Sequence, residues 1–260
     1  MHGSDKKIDQ AFILAAGFGT RLRPLTIDVP KSMVPIAPGK PLLEHTIELL
    51  RDQGVSNFVI NIHYLPEVIV NYFGDGKKLG VNIEYSLEKE YPLETGGALK
   101  KAAPLLRDNF YLLYADELHF FDMPSVAAKH FETGALATIG LKSSEVPSDG
   151  EVAEFDPVTG KIFAWHVRPH GIMALDDRHM MNSAIKAVSK RIIDYVTEPV
   201  GTPVKLDAQV FPRALAAGEL LIGMPTDEKI LDIGTPEKYQ KAQDYYRDRS
   251  AKDRADKRHA

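Results

Sequence analysis

Short apolar runs alternate with helix-like patterns over roughly the first 140 residues of the chain. Apolar runs predict strands at residues 11–15 (AFILA), 58–62 (FVINI), 81–86 (VNIEYS), 111–115 (YLLYA) and 136–141 (LATIGL). Apolar residues at helical spacing predict helices at 41–53, 65–73, 97–106 and 124–132. This alternation predicts an α/β fold, with a mostly parallel sheet and helices on both faces. In such sheets ligands bind beyond the carboxyl ends of the strands.

The pattern becomes mixed after residue 150. It predicts a β-hairpin from 151–155 and 161–167, strands at 180–188 and 220–223, and helices at 189–196, 208–217 and from 236 onward. No linker rich in glycine, serine or proline separates the halves, so we expect one domain at 10–246. Its first lobe is expected at 10–145 and a smaller mixed lobe at 146–246. The charged segment 247–260 predicts a frayed helix end or a disordered tail.

The composition excludes several classes of function. The 260 residues carry a formal net charge of −4, so the chain has no overall basic field to attract nucleic acid. No apolar run approaches the ~20 residues that cross a bilayer. The absence of cysteine excludes disulfides, thiolate zinc sites and cysteine nucleophiles. Residues 1–10 are polar and do not form a secretory signal, so we expect a cytoplasmic protein.

A glycine-rich turn and several cations stand together in residues 14–36 (LAAGFGTRLRPLTIDVPKSMVPI), after the first predicted strand. The turn is not a dinucleotide-binding fingerprint, because Leu22 stands where that motif needs glycine or alanine. It is not a P-loop either, because no GK[ST] follows. Backbone N–H groups of a glycine turn can converge on phosphate oxygens, and Arg21 and Lys31 add positive charge. Interspersed prolines predict a fixed loop between these cations, and the whole stretch therefore predicts an anion site.

This stretch resembles the N-terminal signature of the sugar-1-phosphate nucleotidyltransferases. The similarity continues through PLETGGALKKAAPLL, YLLYADE, MMNSAI and ILDIGTPEKYQKA, and it covers residues 10–246. The resemblance implies a Rossmann-like fold, with 10–145 as a nucleotide-binding lobe and 146–246 as a sugar-phosphate lobe. It also implies that a sugar 1-phosphate attacks the α-phosphorus of a nucleoside triphosphate, so that pyrophosphate leaves and a nucleotide sugar forms.

The resemblance assigns the handling of charge to four residues. It implies that Arg21 neutralises the triphosphate and the leaving pyrophosphate, and that Lys31 orients the α-phosphate or the attacking phosphate. In the family, the aspartates matching Asp116 and Asp232 hold a catalytic Mg²⁺, an ion that prefers oxygen ligands. Both aspartates adjoin apolar runs, where an unpaired carboxylate is costly. The residues expected to bind the nucleotide at the glycine turn are Ala15, Ala16, Gly17, Gly19 and Thr20.

The implied reaction needs no general base. A phosphate monoester has its second pKa at about 6, so it is already a dianion at neutral pH. Catalysis then requires alignment and charge neutralisation. The nine histidines therefore need no catalytic role, and we expect them at surface or packing positions.

Three residues of the second lobe are expected to bind the sugar phosphate. Arg168 stands where the family commonly has a phosphate-binding lysine, and Asn182 matches an asparagine that contacts the sugar. Gly150 matches a glycine that lets the backbone approach the acceptor. Val167 replaces a glutamate that often touches a sugar hydroxyl, so that usual contact is missing. Asp207 stands where the family often has an acidic residue near the sugar, but the sequence favours it as the N-cap of the helix predicted from residue 208.

Glu88, Thr95 and Gly96 are expected near the nucleobase. Glu88 occupies a position often held by glutamine in uridylyl- and thymidylyltransferases. A carboxylate only accepts hydrogen bonds, so it suits the adjacent donors of guanine better than the single donor of uracil. This favours GTP, with UTP next. Glu94 replaces a glycine of the family's loop, which leaves the backbone of Thr95 and Gly96 to lie near the base.

Parts of the same pattern are compatible with other functions. A CTP:phosphocholine cytidylyltransferase-like transfer would keep the chemistry and change the acceptor. A non-catalytic nucleotide-sugar sensor would use the same fold, although its expected mark is the loss of Arg21, Asp116 or Asp232, which are all present. A dinucleotide-dependent oxidoreductase is disfavoured by the failed fingerprint. The expected partners are a nucleoside triphosphate and a sugar 1-phosphate, with no nucleic acid and no membrane, and the sequence leaves a homo-oligomer open.

Overall fold

The computed structural model describes residues 7–259, with side chains described for residues 7–252. Residues 1–6 of the polar N-terminal segment and residue 260 of the charged tail lie outside the described residues. The strands are β1 (Gln10–Leu14), β2 (Pro35–Ala37), β3 (Lys40–Pro41), β4 (Asn57–Ile62), β5 (Asn82–Leu87), β6 (Asn109–Tyr114), β7 (Glu117–Leu118), β8 (Ala137–Lys142), β9 (Val152–Phe155), β10 (Ile162–His166), β11 (His179–Ser189), β12 (Leu221–Thr226) and β13 (Leu231–Asp232). The α-helices are α1 (Leu42–Asp52), α2 (Pro66–Phe73), α3 (Glu94–Ala102), α4 (Met123–Thr133), α5 (Phe211–Ala216) and α6 (Pro236–His259).

Parallel strands form the centre of the sheet, as the strand–helix alternation predicts. β1 lies between β4 and β6, and β5 continues the parallel block beyond β4. Proline and glycine mark the helix ends that the sequence suggests. Pro66 stands in the first turn of α2, where its missing N–H costs nothing, and Gly134 ends α4 in the left-handed conformation.

Side chains of β1 explain why helices cover both faces of the sheet. Ala11 and Ile13 pack in a cluster with α1, α2 and α4, whereas Phe12 packs in a second cluster with α3 and α5. Successive residues of a strand point to opposite faces, so the continuous apolar run 11–14 of β1 needs a cover on each side. The predicted α/β fold with helices on both faces is therefore confirmed.

The second half of the chain extends the same sheet with antiparallel strands. β11 pairs with β6, β8 and β9, and β9 pairs with β10 as the predicted hairpin. The result is one nine-stranded sheet in the order β10-β9-β11-β6-β1-β4-β5, with β8 and β12 branching from β11. The pairing of β11 with β8 shifts register between Asn182 and Lys186. Such irregularities change the direction in which side chains point, and this one lies beside a cleft between the parallel and antiparallel halves of the sheet.

Two predicted helices differ from the structure. Lys190–Tyr195 forms 3₁₀ turns instead of an α-helix. The helix predicted from residue 208 begins instead as a π-helical turn, Leu206–Val210, and α5 starts only at Phe211. Pro212 supplies a physical reason, because it has no N–H to donate to a carbonyl in the preceding turn. The expected helix start is therefore wrong by several residues, which matters for Asp207.

The last helix, α6, packs across the loop that follows β1. Tyr239 and Ala242 contact a small apolar cluster that includes Leu22 and Val34. The charged tail continues α6 as helix to His259, so the alternative of a disordered tail is not what the structure has. Within residues 7–259, every helix is either too short or too polar to span a bilayer.

Candidate active site

A cleft of about 740 Å³ opens where the parallel half of the sheet meets the antiparallel half. β1 and β6 lie side by side and parallel, so the segments that follow their carboxyl ends meet at one edge of the sheet. The cleft wall brings together residues that the sequence singled out in separate segments: Arg21, Thr95, Asp116, Gly150, Arg168, Asn182 and Asp232. The residues singled out that do not line it are Ala15, Ala16, Gly17, Gly19, Thr20, Lys31, Glu88 and Gly96.

The glycine turn owes its shape to close contacts beneath it. Gly19 has a φ of 62°, and a Cβ there would lie 2.9 Å from the Cβ of Lys31. Thr26 Oγ1 donates a hydrogen bond to the carbonyl oxygen of Gly19 at 2.7 Å. Glycine is therefore required at this position by both conformation and space. One 3₁₀ turn, Thr20–Leu22, follows, so the segment is the fixed loop that the prolines predict.

Backbone amides of this turn are available to a ligand. The amide of Ala15 donates to the carbonyl oxygen of Asn61 at 3.0 Å, which anchors the end of β1. Within the described residues, the amides of residues 16–19 donate no hydrogen bond. Successive unpaired N–H groups in a turn form a concave site that suits an anion. The turn therefore offers donors beside the cationic side chain of Arg21.

Asp116 and Asp232 converge on one cation. Lys31 Nζ lies 2.7 Å from Asp116 Oδ2 and 3.6 Å from Asp232 Oδ1, and Lys238 Nζ lies 2.9 Å from Asp232 Oδ2. The antiparallel ribbon of β7 and β13 brings these distant parts of the chain together, with Asp232 paired to Glu117. The amide of Ile233 also donates to the carbonyl oxygen of Asp116 at 3.1 Å.

The electrostatics of this corner favour the ionised form of Asp232. Burial raises the pKa of Asp232, but Lys238 and Lys31 outweigh burial and hold that pKa below its usual range. Gly234 lets the groups crowd together, because a Cβ there would lie 2.8 Å from Asp232 Oδ1 and 3.0 Å from an Arg21 guanidinium nitrogen. Arg21 therefore lies beside the acidic pair, where it can share a polyanionic ligand with it.

The acidic pair fits a divalent cation. The carboxylates of Asp116 and Asp232 both approach the ammonium group of Lys31. Positive charge is therefore stabilised at this point, and a divalent cation can bind there in place of the ammonium group. The donors are all oxygen atoms, which Mg²⁺ prefers, and two protein carboxylates leave room for water and phosphate ligands. Asp116, in the turn between β6 and β7, and Asp232, on β13, would hold such an ion together.

On the opposite wall, Arg168 is held by the segment around Gly150. Its Nε lies 3.1 Å from Glu151 Oε1, and Nη1 donates to the carbonyl oxygen of Asp149 at 2.9 Å. A Cβ on Gly150 would lie 2.5 Å from the terminal methyl of Met181, so this segment packs closely against a flexible side chain of β11. The guanidinium group remains half exposed in the cleft, where it can meet an anion.

Asn182 presents an unused acceptor to the same wall. Its backbone amide donates to the carbonyl oxygen of Glu151 at 3.0 Å, which fixes its place at the irregularity in β11. The side-chain Oδ1 is buried and finds no hydrogen-bond partner in the part of the chain that the structure describes. A buried polar atom usually has a partner, so this one is poised for a ligand hydroxyl.

Glu88 does not occupy the place expected of a base-binding residue. It is 2% exposed, and its oxygens accept from Asn61 Nδ2 at 2.8 Å and from the amide of Leu93 at 2.9 Å. Burial raises the pKa of this carboxyl. The residue therefore organises the loop before α3 instead of facing the cleft. The preference for guanine that rested on its two oxygens loses its structural basis.

Thr95 and Gly96 serve different purposes at the start of α3. Thr95 lines the cleft, and its hydroxyl accepts from the amide of Leu206 at 2.8 Å. The amide of Gly96 donates to the carbonyl oxygen of Val204 at 2.7 Å, so it is already paired within the chain. Glu94, which stands in place of a family glycine, adopts a left-handed φ of 58°, a conformation that favours glycine.

A buried charge cluster beneath the acceptor wall joins Asp207 to Lys186, a residue that the sequence did not single out. Lys186 is fully buried, with Nζ 3.6 Å from Asp207 Oδ1 and 4.7 Å from the ring centroid of Tyr114. The Tyr114 hydroxyl donates to Asp207, and burial raises its pKa well above the usual value. The expectation that Asp207 is an N-cap is therefore wrong, because the π-helical turn directs its side chain toward Tyr114. A lysine inside the apolar run 184–188 was the available signal.

Comparison with known proteins identifies the chain. The chain has an α/β fold with a cleft at the carboxyl ends of its parallel strands, and residues 10–249 match the nucleotidyl transferase family. The chain therefore belongs to the nucleotidyl transferase family, and the resemblance noted from the sequence is confirmed.

Curated relatives carry related names. The chain is 35% identical over 247 residues to a UTP–glucose-1-phosphate uridylyltransferase of Synechocystis, covering 90% of this chain and 62% of that protein. It is 32% identical over 235 residues to mannose-1-phosphate guanylyltransferase 1 of Arabidopsis thaliana, covering 88% of this chain and 62% of that protein. The chain thus spans less than two thirds of the length of these relatives.

Solved structures share the fold. A UDP-glucose pyrophosphorylase complexed with UDP-glucose superimposes with a TM-score of 0.77 at 20% identity, covering 94% of this chain and all of that one (100%). HddC from Yersinia pseudotuberculosis superimposes with a TM-score of 0.72 at 24% identity, covering 92% of this chain and 100% of that one. The Rossmann-like architecture is therefore shared across sequences that have diverged widely.

Proposed function

We propose that the chain catalyses Mg²⁺-dependent transfer of a nucleotidyl group from a nucleoside triphosphate to a sugar 1-phosphate. The products are a nucleotide sugar and pyrophosphate. The observation that carries this proposal is the convergence of Asp116 and Asp232 on Lys31 Nζ, beside Arg21 and at the mouth of the cleft. The named activities of the uridylyl- and guanylyltransferase relatives point to the same reaction.

The nucleotide side of the site is built from the glycine turn and its cations. The free amides of residues 16–19 and the guanidinium group of Arg21 bind the triphosphate and the departing pyrophosphate. To Lys31, whose ammonium group lies beside both carboxylates, we assign the role of orienting the α-phosphate or the attacking phosphate. Mg²⁺, when bound by Asp116 and Asp232, supplies neutralisation of the negative charge that builds up on the phosphates.

The acceptor side is built from the second lobe. Arg168 binds the sugar phosphate, and Glu151 restrains the guanidinium group before the substrate arrives. Asn182 Oδ1 accepts a hydrogen bond from a sugar hydroxyl, which satisfies its buried oxygen. A phosphate oxygen of the acceptor forms the new bond to the α-phosphorus as the bond to pyrophosphate breaks. Since the attacking phosphate is already ionised, no side chain has to remove a proton.

A substrate screen tests the proposal. Pyrophosphate release is measured for each common nucleoside triphosphate with glucose 1-phosphate, mannose 1-phosphate and phosphocholine, with Mg²⁺ present. We expect release with at least one nucleotide and sugar 1-phosphate pair. Release only with CTP and phosphocholine would support the cytidylyltransferase-like alternative instead. Nucleotide-sugar binding without release from any pair would make the chain a sensor and overturn the proposal.

Substitution of the acidic pair tests the assigned roles. Asp116→Asn and Asp232→Asn each remove one carboxylate charge, and we expect kcat to fall by more than about 100-fold, because a bound metal contributes several kcal/mol to the transition state. Asp52→Asn makes the same change at an exposed position at the end of α1 and serves as the matched control. Wild-type rates in either cleft variant would exclude the metal site.

A further inference from the structure

Three potential metal ligands meet on one face of β9, β10 and β11. Glu154 lies on the middle strand, β9, and pairs directly with His179 on β11. His166 lies on β10, two residues beyond Ala164, the partner of Glu154. Residues opposite one another, or two apart on a strand, share a face of the sheet, so all three side chains lie on the same side. One donor atom from each lies within 4.8 Å of the other two.

The separations between donor atoms fit a small transition-metal ion. His166 Nε2 lies 3.4 Å from Glu154 Oε2, and His179 Nε2 lies 3.7 Å from the same oxygen. A tetrahedral Zn²⁺ with bonds of about 2.0–2.1 Å holds its ligand atoms about 3.4 Å apart. The three side chains therefore need only small movements to surround such an ion.

A neighbouring carboxylate orients the imidazole ring of His179. Asp176 Oδ1 lies 2.8 Å from His179 Nδ1 and also accepts from the backbone amide of His179 at 2.8 Å. A carboxylate on one ring nitrogen is the arrangement that directs the other nitrogen toward a metal. His166 Nε2 is buried and lacks a hydrogen-bond partner among the residues described. Arg178 approaches the other oxygen of Glu154, at 4.0 Å, and leaves Oε2 to the histidines.

We propose that Glu154, His166 and His179 bind one divalent transition-metal ion of the Zn²⁺ type, with a fourth position left to water. Two imidazole nitrogens and one carboxylate oxygen are ligands that suit Zn²⁺ and its neighbours, whereas Mg²⁺ prefers oxygen alone. The site is therefore different in chemistry from the all-oxygen pair of Asp116 and Asp232. It goes beyond the proposed transfer reaction and does not depend on it.

The ion would cross-link the strands that carry the acceptor wall. Arg168 follows His166 by two residues, and Asn182 follows His179 by three on the same strand. Glu151, which holds Arg168, lies just before β9. A metal bound across β9, β10 and β11 therefore restrains the residues that face a sugar phosphate.

Zinc titration of the full chain tests this site. Metal-free protein is titrated with Zn²⁺ against a chromophoric chelator, with millimolar Mg²⁺ present to occupy carboxylate-only sites. We expect one equivalent to bind, and the affinity to fall by about 100-fold or more in His166→Gln and in Glu154→Gln. Asp176→Asn, an exposed change that removes the carboxylate charge beside His179 Nδ1, is expected to weaken binding by about 10–100-fold. Glu84→Gln, on an exposed position of β5, is the matched control and leaves binding unchanged.

Cobalt binding gives a second readout. Co²⁺ in a four-coordinate nitrogen and oxygen site produces visible d–d absorption, which the wild-type chain should develop and His166→Gln should lose. Circular dichroism establishes that each variant is folded. A wild-type chain that takes up no Zn²⁺, or uptake that survives both His166→Gln and Glu154→Gln, overturns the proposal. No nucleotide or sugar phosphate is present in this titration, so its result is separate from that of the transfer assay.

Discussion

Replacing Lys186 with methionine tests the buried charge cluster beneath the acceptor wall. The Lys186 ammonium group lies 3.6 Å from Asp207 Oδ1 and donates to the carbonyl oxygen of Ser183 at 2.8 Å. Methionine is unbranched and of similar length, so Lys186→Met removes the charge with little loss of packing. Asp207 then keeps the Tyr114 hydroxyl but loses its neighbouring cation.

The expected cost follows from burial. Removing one partner of a buried ion pair costs about 3–5 kcal/mol, because the remaining charge is uncompensated. Burial also lowers the pKa of Lys186, which makes its positive charge less favourable from the outset. We therefore expect the unfolding free energy to fall by about 3 kcal/mol, the lower end of that range. At about 2–4 °C per kcal/mol for a chain of this size, Tm should fall by about 6–12 °C.

Thermal unfolding followed by circular dichroism at pH 7 measures this effect. The measurement compares Lys186→Met, Asp207→Asn and the double variant. Lys161→Met, at an exposed position just before β10, serves as the control. The double variant should lose less stability than Lys186→Met alone, because no uncompensated charge remains. A Tm for Lys186→Met equal to that of the control, or additive losses in the double variant, would refute the reasoning.

Two further predictions concern the effect of low pH on buried histidines and the close packing around Gly97. Burial lowers the pKa of His45 to about 4, of His119 to about 3 and of His130 to about 4. The folded state therefore keeps these rings neutral, whereas the unfolded chain protonates them below about pH 6.5. The three rings have no effect on the pH dependence of the unfolding free energy above about pH 6.5. Below it, the unfolding free energy falls by about 1.4 kcal/mol per ring and pH unit toward pH 4. Plots of Tm against pH should therefore be shallower below pH 6.5 for His119→Leu, and an unchanged slope contradicts this. Gly97→Ala places a Cβ 2.4 Å from the carbonyl oxygen of Thr202. We therefore expect the unfolding free energy, measured by thermal melting, to fall by at least about 2 kcal/mol. A wild-type Tm would contradict this prediction.

Local signals in the sequence were sufficient for one side of the cleft. Arg21 and Asp116 each follow an apolar run, and parallel strands bring the ends of such runs to one edge. Local signals could not predict that Asp232 approaches this edge. Its position depends on the pairing of β7 with β13, which joins distant parts of the chain. The apolar neighbours of Asp232 made the residue notable, but only the resemblance to a family paired it with Asp116.

Other features depended on geometry that no short pattern encodes. The role assigned to Asp207 assumed a helix start at residue 208, and the π-helical turn moved its side chain to Tyr114. Glu88 was judged by its charge and by the family position that it matches, whereas the fold of the loop before α3 turned its side chain inward. The contact of His166 and His179 with Glu154 depends on the register of three strands, so it could not be seen before those strands were paired.

The β7–β13 ribbon also has a consequence for biosynthesis. Proteins emerge from the ribosome amino end first, so the glycine turn and Asp116 are made long before Asp232. A nascent chain halted before β13 holds one carboxylate at the mouth of the cleft and cannot present the pair. The two carboxylates therefore come together only late in translation, when α6 can close over the loop that was made first.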